Sequence, residues 1–181
     1  TPSITVADIT GIGANLSGIA TVASGLTVTA GGLTVTAGGS NITAGGLNVT
    51  AGLSTFMGGL VEKYENAGTT LGAQTNNPIT DGNVILFTGN ESGTNTINFT
   101  GIHSTISSGQ NVSFTVILTP NNSGYINAVQ VDGQAITPQW SGGTAPSAGG
   151  SSGRDVYTFT ILKTGTGTSD YVILGALTNF A

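Results

Sequence analysis

The sequence predicts an all-β protein in two parts, a trimeric, intertwined β-shaft of short repeats followed by a β-sandwich or jelly-roll-like head. Three observations carry that prediction. A seven-residue unit is repeated four times between residues 25 and 52, strand-length runs with alternating polarity fill the chain beyond residue 60, and no segment keeps a helical period. Three segments follow: a lead-in or attachment segment at 1–24, the glycine-rich repeat shaft at 25–59, and the head at 60–181.

The lead-in spaces Ile4, Val6, Ile9, Ile12, Leu16, Ile19 and Val22 irregularly among Gly, Ser and Thr, as a degenerate approach to the shaft. The repeats are sharper: Gly-Leu-Thr-Val-Thr-Ala-Gly from Gly25 and nearly the same from Gly32, Gly39 and Gly46. Two glycines per unit, each costing about 1 kcal/mol against alanine in a helix, exclude a coiled coil, and the Thr and Val between them favour strand. Because seven is odd, each Gly-Gly pair must turn or bulge the chain to return the apolar stripe to one side, and glycine reaches the required positive φ without steric cost.

A strand of about five residues with three apolar side chains cannot bury that face alone. Single-chain solenoids need roughly 20 or more residues per coil, and three chains of this kind supply about that many per layer. The sequence therefore predicts a homotrimer with Leu26, Val28, Leu33, Val35, Ile42, Leu47 and Val49 on its axis. Burial of each Val, Leu or Ile is worth about 1.5–3 kcal/mol, which only assembly realises. A flexible Gly/Thr linker is the competing reading, and the constant Leu–Val phase argues against it.

After Gly52 the phase slips and the motif dissolves into Phe56-Met57-Gly58-Gly59. Residues 60–66 hold the densest charge and are read as a strand opening the head. Strands are expected at 83–88, 96–100, 111–119, 126–131, 134–139, 155–163 and 171–176. Asp132-Gly133 between apolar flanks signals a type I′ hairpin. Val116 and Leu118 against Thr115 and Thr119, and Phe159 and Ile161 against Thr158 and Thr160, give strands with one dry and one wet face. Residues 141–153 form a long polar loop, and Ser141, Gly142, Gly143, Thr144, Ala145 and Ser147 are its candidate contact surface.

Composition sets further bounds. The chain has 181 residues, 30 of them Gly, with 6% charged against 38% apolar. Thr, Ser and Asn replace Lys and Glu as wetting residues, a habit of β-rich extracellular or virion surfaces. The net charge of −5, with no basic run, disfavours nucleic-acid binding. No stretch of about 18 apolar residues predicts membrane insertion, and no basic-then-apolar leader is present. Cysteine is absent, so disulfides are excluded. Thr1 fits either a start with its methionine removed or a trimmed fragment.

The head resembles a module of tail-fibre and other virion structural proteins of bacteriophages, especially those infecting marine cyanobacteria. The resemblance rests on Gly82-Asn83-Val84-Ile85-Leu86-Phe87, Val129-Gln130-Val131-Asp132-Gly133 and Trp140-Ser141-Gly142-Gly143-Thr144-Ala145-Pro146. Asp155-Val156-Tyr157-Thr158-Phe159 and Leu174-Gly175-Ala176-Leu177-Thr178-Asn179-Phe180 complete it. It implies a homotrimeric, non-enzymatic protein displayed on the virion surface and does not fix its position there; the expected partners are other virion proteins, through the N-terminal segment, and, for host attachment, a host-surface glycan. The chain is short beside long tail fibres and lacks a large adaptor, which favours a small spike or a capsid decoration. Capsid decoration, as a cement or head-fibre protein, is the alternative to host attachment. A trimeric bacterial adhesin is a third reading, without an accompanying membrane anchor.

No cofactor or metal is expected. His103, the single histidine, reads as a hydrogen-bonded loop residue rather than a metal ligand. Glu62 and Glu65 flank Lys63 in a solvated face rather than forming a glycan-cleaving pair. Asp81 and Asp132 precede glycines in turns, while Asp155 and Asp170 are expected just before strands. Neither Gly11-Ile12-Gly13 nor Gly165-Thr166-Gly167 completes a nucleotide loop. Trp140 is expected to anchor a sheet, with receptor contact as its other reading, and Arg154 to brace the polar loop.

Overall fold

The computed structural model describes Val28 and residues 32–43, 47–49, 54–72, 76–120 and 124–181. The chain divides into two units, Thr1–Thr55 and Phe56–Ala181. In the first, the described repeat residues form no strand within one chain. The expected five-residue strands need a ladder partner, and among the described residues the single chain supplies none. Gly32, Gly38 and Gly39 take φ of 73°, 80° and 71°. The chain thus turns at the glycines where the odd repeat length requires it.

The second unit is mostly β-sheet with little helix. Its strands are β1 (Tyr64–Asn66), β2 (Asn76–Pro78), β3 (Val84–Glu91), β4 (Thr94–Thr100), β5 (Asn111–Pro120), β6 (Tyr125–Val131), β7 (Gln134–Ile136), β8 (Gln139–Trp140), β9 (Arg154–Lys163) and β10 (Tyr171–Phe180). One helical turn, α1 (Ile102–Thr105), follows β4. The larger sheet has the order β1-β3-β5-β9-β10-β8 and the smaller β2-β4-β6-β7.

The pairing is the unexpected feature. β1, β3 and β5 are mutually parallel neighbours in the larger sheet, and β2, β4 and β6 in the smaller. The chain passes from one sheet to the other and back, so each strand returns in the same direction beside its predecessor, as parallel pairs require. Antiparallel pairing enters only late, in β6–β7, β5–β9 and β9–β10. This winding differs from the antiparallel Greek-key order of a jelly roll.

The two sheets share one core. Phe99 of β4 stacks on Phe114 of β5 at 4.4 Å between ring centroids, and meets the edge of Phe159 of β9 at 5.5 Å. Strand alternation explains the filling: in β5 Phe114, Val116 and Leu118 are buried, and in β9 Tyr157, Phe159 and Ile161. Asp132 and Gly133 both take positive φ, 50° and 81°, which gives the type I′ turn between β6 and β7.

Two sequence expectations need correction. The single strand expected at 134–139 is two strands in different sheets, because Thr137-Pro138 lets the chain leave β7 and Pro138 has no N–H to continue a ladder. Asp155, read both as the start of the strand at 155–163 and as an acid just before it, lies within β9 as its second residue and is wholly buried.

The outer faces of the sheets differ. On the smaller sheet Asn76, Asn98 and Gln130 share a register row, and Asn98 Nδ2 donates to Asn76 Oδ1 at 2.8 Å. On the larger sheet the residues alternating with the core are mostly Val, Leu, Ile, Ala, Ser and Thr, with Asn90, Asn111, Arg154 and Phe180 at the strand ends. One row runs Leu86, Ile117, Val156, Thr178, and the next Val84, Thr115, Thr158, Ala176.

Candidate functional site

The loop between β8 and β9 is fixed at one end and open at the other. Its fixed end rests on Asp155, whose carboxylate accepts hydrogen bonds from Gly150 N (2.8 Å) and Asn179 Nδ2 (2.6 Å). A side chain at Gly149 would overlap the Gly124 carbonyl oxygen, and one at Gly153 the carbonyl of Phe180. Glycine is therefore required for the loop to lie this close. Arg154, expected to brace the loop, is exposed and donates only locally to Gly153 O at 3.2 Å. The buried aspartate does that work because its two acceptors meet one donor from the loop, Gly150 N, and one from β10, Asn179 Nδ2, out of water.

The open end holds the residues singled out in the sequence. Ser141, Gly142, Gly143, Thr144, Ala145 and Ser147 are all exposed. Ser141, Thr144 and Ser147 line a cleft of about 320 Å³ with Trp140, Pro146, Ala148, Leu177 and Asn179. A second cleft of about 350 Å³ lies on the other side of Trp140, floored by Thr158, Thr160, Leu174 and Ala176. Trp140 is half-buried. Its indole meets Phe159 edge-on at 5.8 Å and Tyr157 at 6.4 Å, over Gly175, where a Cβ would come within 2.9 Å of the indole Cε3. Trp140 is thus anchored in the core and still borders both clefts. Neither cleft is lined by a charged side chain, so what they offer is aromatic edge, hydroxyl and amide.

The densest gathering of titratable groups lies around α1. Lys163, 5% exposed, donates from Nζ to His103 O at 3.0 Å and lies 3.1 Å from His103 Nδ1, which is also 3.3 Å from Tyr171 OH. Asp132 accepts from the N–H groups of Gly101 (2.5 Å) and His103 (2.7 Å), capping α1 from the β6–β7 turn. Burial raises the Tyr171 phenol above its ordinary range, with Asp132 and Asp170 adding to the effect. These contacts bind α1 to the head; His103 is hydrogen-bonded, but in a helical turn rather than in the loop the sequence suggests. Among the described residues no group of His, Cys, Asp and Glu could hold a metal ion. Glu62 is exposed and Glu65 half-buried in β1.

A second buried acid faces the same end of the core as Asp155. Glu91, 1% exposed, accepts the Leu71 N–H at 2.5 Å. Burial raises its pKa, and the Leu71 hydrogen bond opposes that shift in part. Tyr157 OH accepts the Ile126 N–H at 3.0 Å. Burial, with the Asp155, Glu91 and Tyr125 charges added, pushes its pKa up to about 12 against that hydrogen bond. The sequence carries no local signal for this group, since its partners lie 20 or more residues away.

Of the expected axis residues, Val28, Leu33, Val35, Ile42, Leu47 and Val49 are exposed in the single chain, by 45–71%. Leu26 lies outside the described residues. No family model, curated protein or solved structure matches this chain.

Proposed function

We propose that three copies of this chain assemble into a non-enzymatic structural fibre or spike, displayed on a bacteriophage particle and serving host attachment. The observation that carries this reading is the exposed apolar row of the repeats, six residues in fixed phase with no cover in one chain. Leaving that much aliphatic surface in water forgoes roughly 1.5–3 kcal/mol per side chain, which a threefold bundle recovers. The resemblance of the head to phage fibre modules supplies the setting.

In this reading the head presents the cleft at Trp140 to a neutral glycan, which suits its uncharged hydroxyl, amide and aromatic lining. Three weak contacts on one particle then act with the avidity of multivalent binding.

Labelled antibody against the head, imaged on intact particles by electron microscopy, tests the placement. Label on the tail with binding of the purified protein to host cells supports attachment. Label on the capsid faces supports decoration instead. Ser147→Trp, which fills the cleft without touching the core, should abolish cell binding and leave the melting temperature unchanged. Undiminished binding would remove the cleft from the account.

A further inference from the structure

We infer that the bare outer face of the larger sheet is where the heads pack against one another, its occupants being the further copies of this chain. The inference rests on the trimer reading above and extends the contact beyond the repeats.

Three observations converge on it. Along the middle of β3, β5, β9 and β10 this face carries aliphatic and hydroxyl side chains, with Asn90, Asn111, Arg154 and Phe180 at the strand ends, and among the described residues no helix covers it. The opposite face of the same unit carries an amide row across its middle, at Asn76, Asn98 and Gln130, where the larger sheet has amides only at strand ends. The asymmetry marks one face for contact.

Charge selects the occupant. The chain carries a net −5, so copies repel one another wherever their acids meet. A face without acids is the surface on which identical chains approach without that penalty. The apolar surface is also continuous in sequence. Phe56, Met57, Leu60 and Val61, 66–100% exposed, lead directly into β1, the edge strand of this sheet, where Tyr64 is 53% exposed. With strands about 4.8 Å apart and about 3.3 Å per residue, the face offers roughly 500 Å² per copy. That is short of the ~800 Å² per partner of a self-sufficient interface, so the face supplements the repeats rather than replacing them.

The chain has no cysteine, so single cysteines report contact cleanly. Thr115→Cys, Thr158→Cys and Leu174→Cys lie on the face; Gln130→Cys on the amide face is the control. Each full-length variant is treated with a short bismaleimide at low concentration, and its solution mass is measured in parallel. The expected result is crosslinked pairs from the face positions and none from Gln130→Cys, in protein of trimer mass. The use of three positions keeps the test intact if one variant fails to fold. Trimer mass without crosslinks from the face would overturn this inference and leave the repeat-based trimer standing, with a different partner for the face. Equal crosslinking at Gln130→Cys would also overturn it. A single-chain mass would remove the trimer reading beneath it.

Discussion

The phenolic oxygen of Tyr157, on the larger sheet, accepts the backbone N–H of Ile126, on the smaller sheet, at 3.0 Å in the core. Beside it the β4–β6 register slips, Asn95 pairing with Ile126 and Thr96 with Ala128. One side chain thus satisfies a buried donor next to an irregular ladder and ties the two sheets together.

Tyr157→Phe keeps the ring, and its stacking with Phe159 at 6.1 Å, but leaves that N–H without its partner. The expected loss is about 1–3 kcal/mol in urea denaturation of the full chain. An unchanged midpoint would show that the cross-sheet bond contributes nothing.

Glu91 gives the head a pH dependence of unusual sign. Its folded pKa lies above the ordinary carboxylate value because it is buried. The native state therefore holds this proton more tightly than the unfolded chain. The associated stability is present in full below the unfolded pKa and is lost as pH rises through the folded one. Glu91→Gln keeps an acceptor for Leu71 N and cannot ionise. The variant should gain on the wild type steadily as pH rises, in denaturation curves taken from acid to neutral pH. A constant difference across the series would contradict the assignment.

Asp132 has two tasks, the left-handed turn position and the cap of α1. Asp132→Ala forfeits both, at a cost of roughly 2 kcal/mol. Asp132→Asn retains the turn preference and an acceptor, and should lose less. Thermal melts of the pair, with hydrogen exchange at residues 101–105, check the order.

How much of this was legible in the chain varies by element. Strands such as β5 and β9 were readable because Phe114, Val116 and Leu118, or Tyr157, Phe159 and Ile161, alternate with residues of the other face. Asp132-Gly133 announced its turn by local chemistry alone. The parallel winding was not readable, since alternation tells which way a side chain points and not which strand lies beside it. β2, with only Asn, Asn and Pro, has no apolar alternation to betray it. The polar loop was found from its Gly and Ser content. Its anchor on Asp155 and Asn179 was not, because burial of a carboxylate depends on distant donors. The repeats showed their period but not their partner.

The repeats make their own prediction. Val35→Asp would bring three carboxylates together at a dry axis and should abolish trimers, whereas Thr34→Asp, pointing away, should be tolerated. Equal trimer content in the two variants by light scattering would refute the assignment of inward and outward positions.

The most direct test of the account is the mass of the full chain in solution by sedimentation equilibrium, together with protease protection of the repeats. The account predicts three times the 17.8 kDa of one chain, with residues 25–52 protected. A 17.8 kDa species whose repeats are equally protected would contradict it, because the apolar row would then be covered without companions.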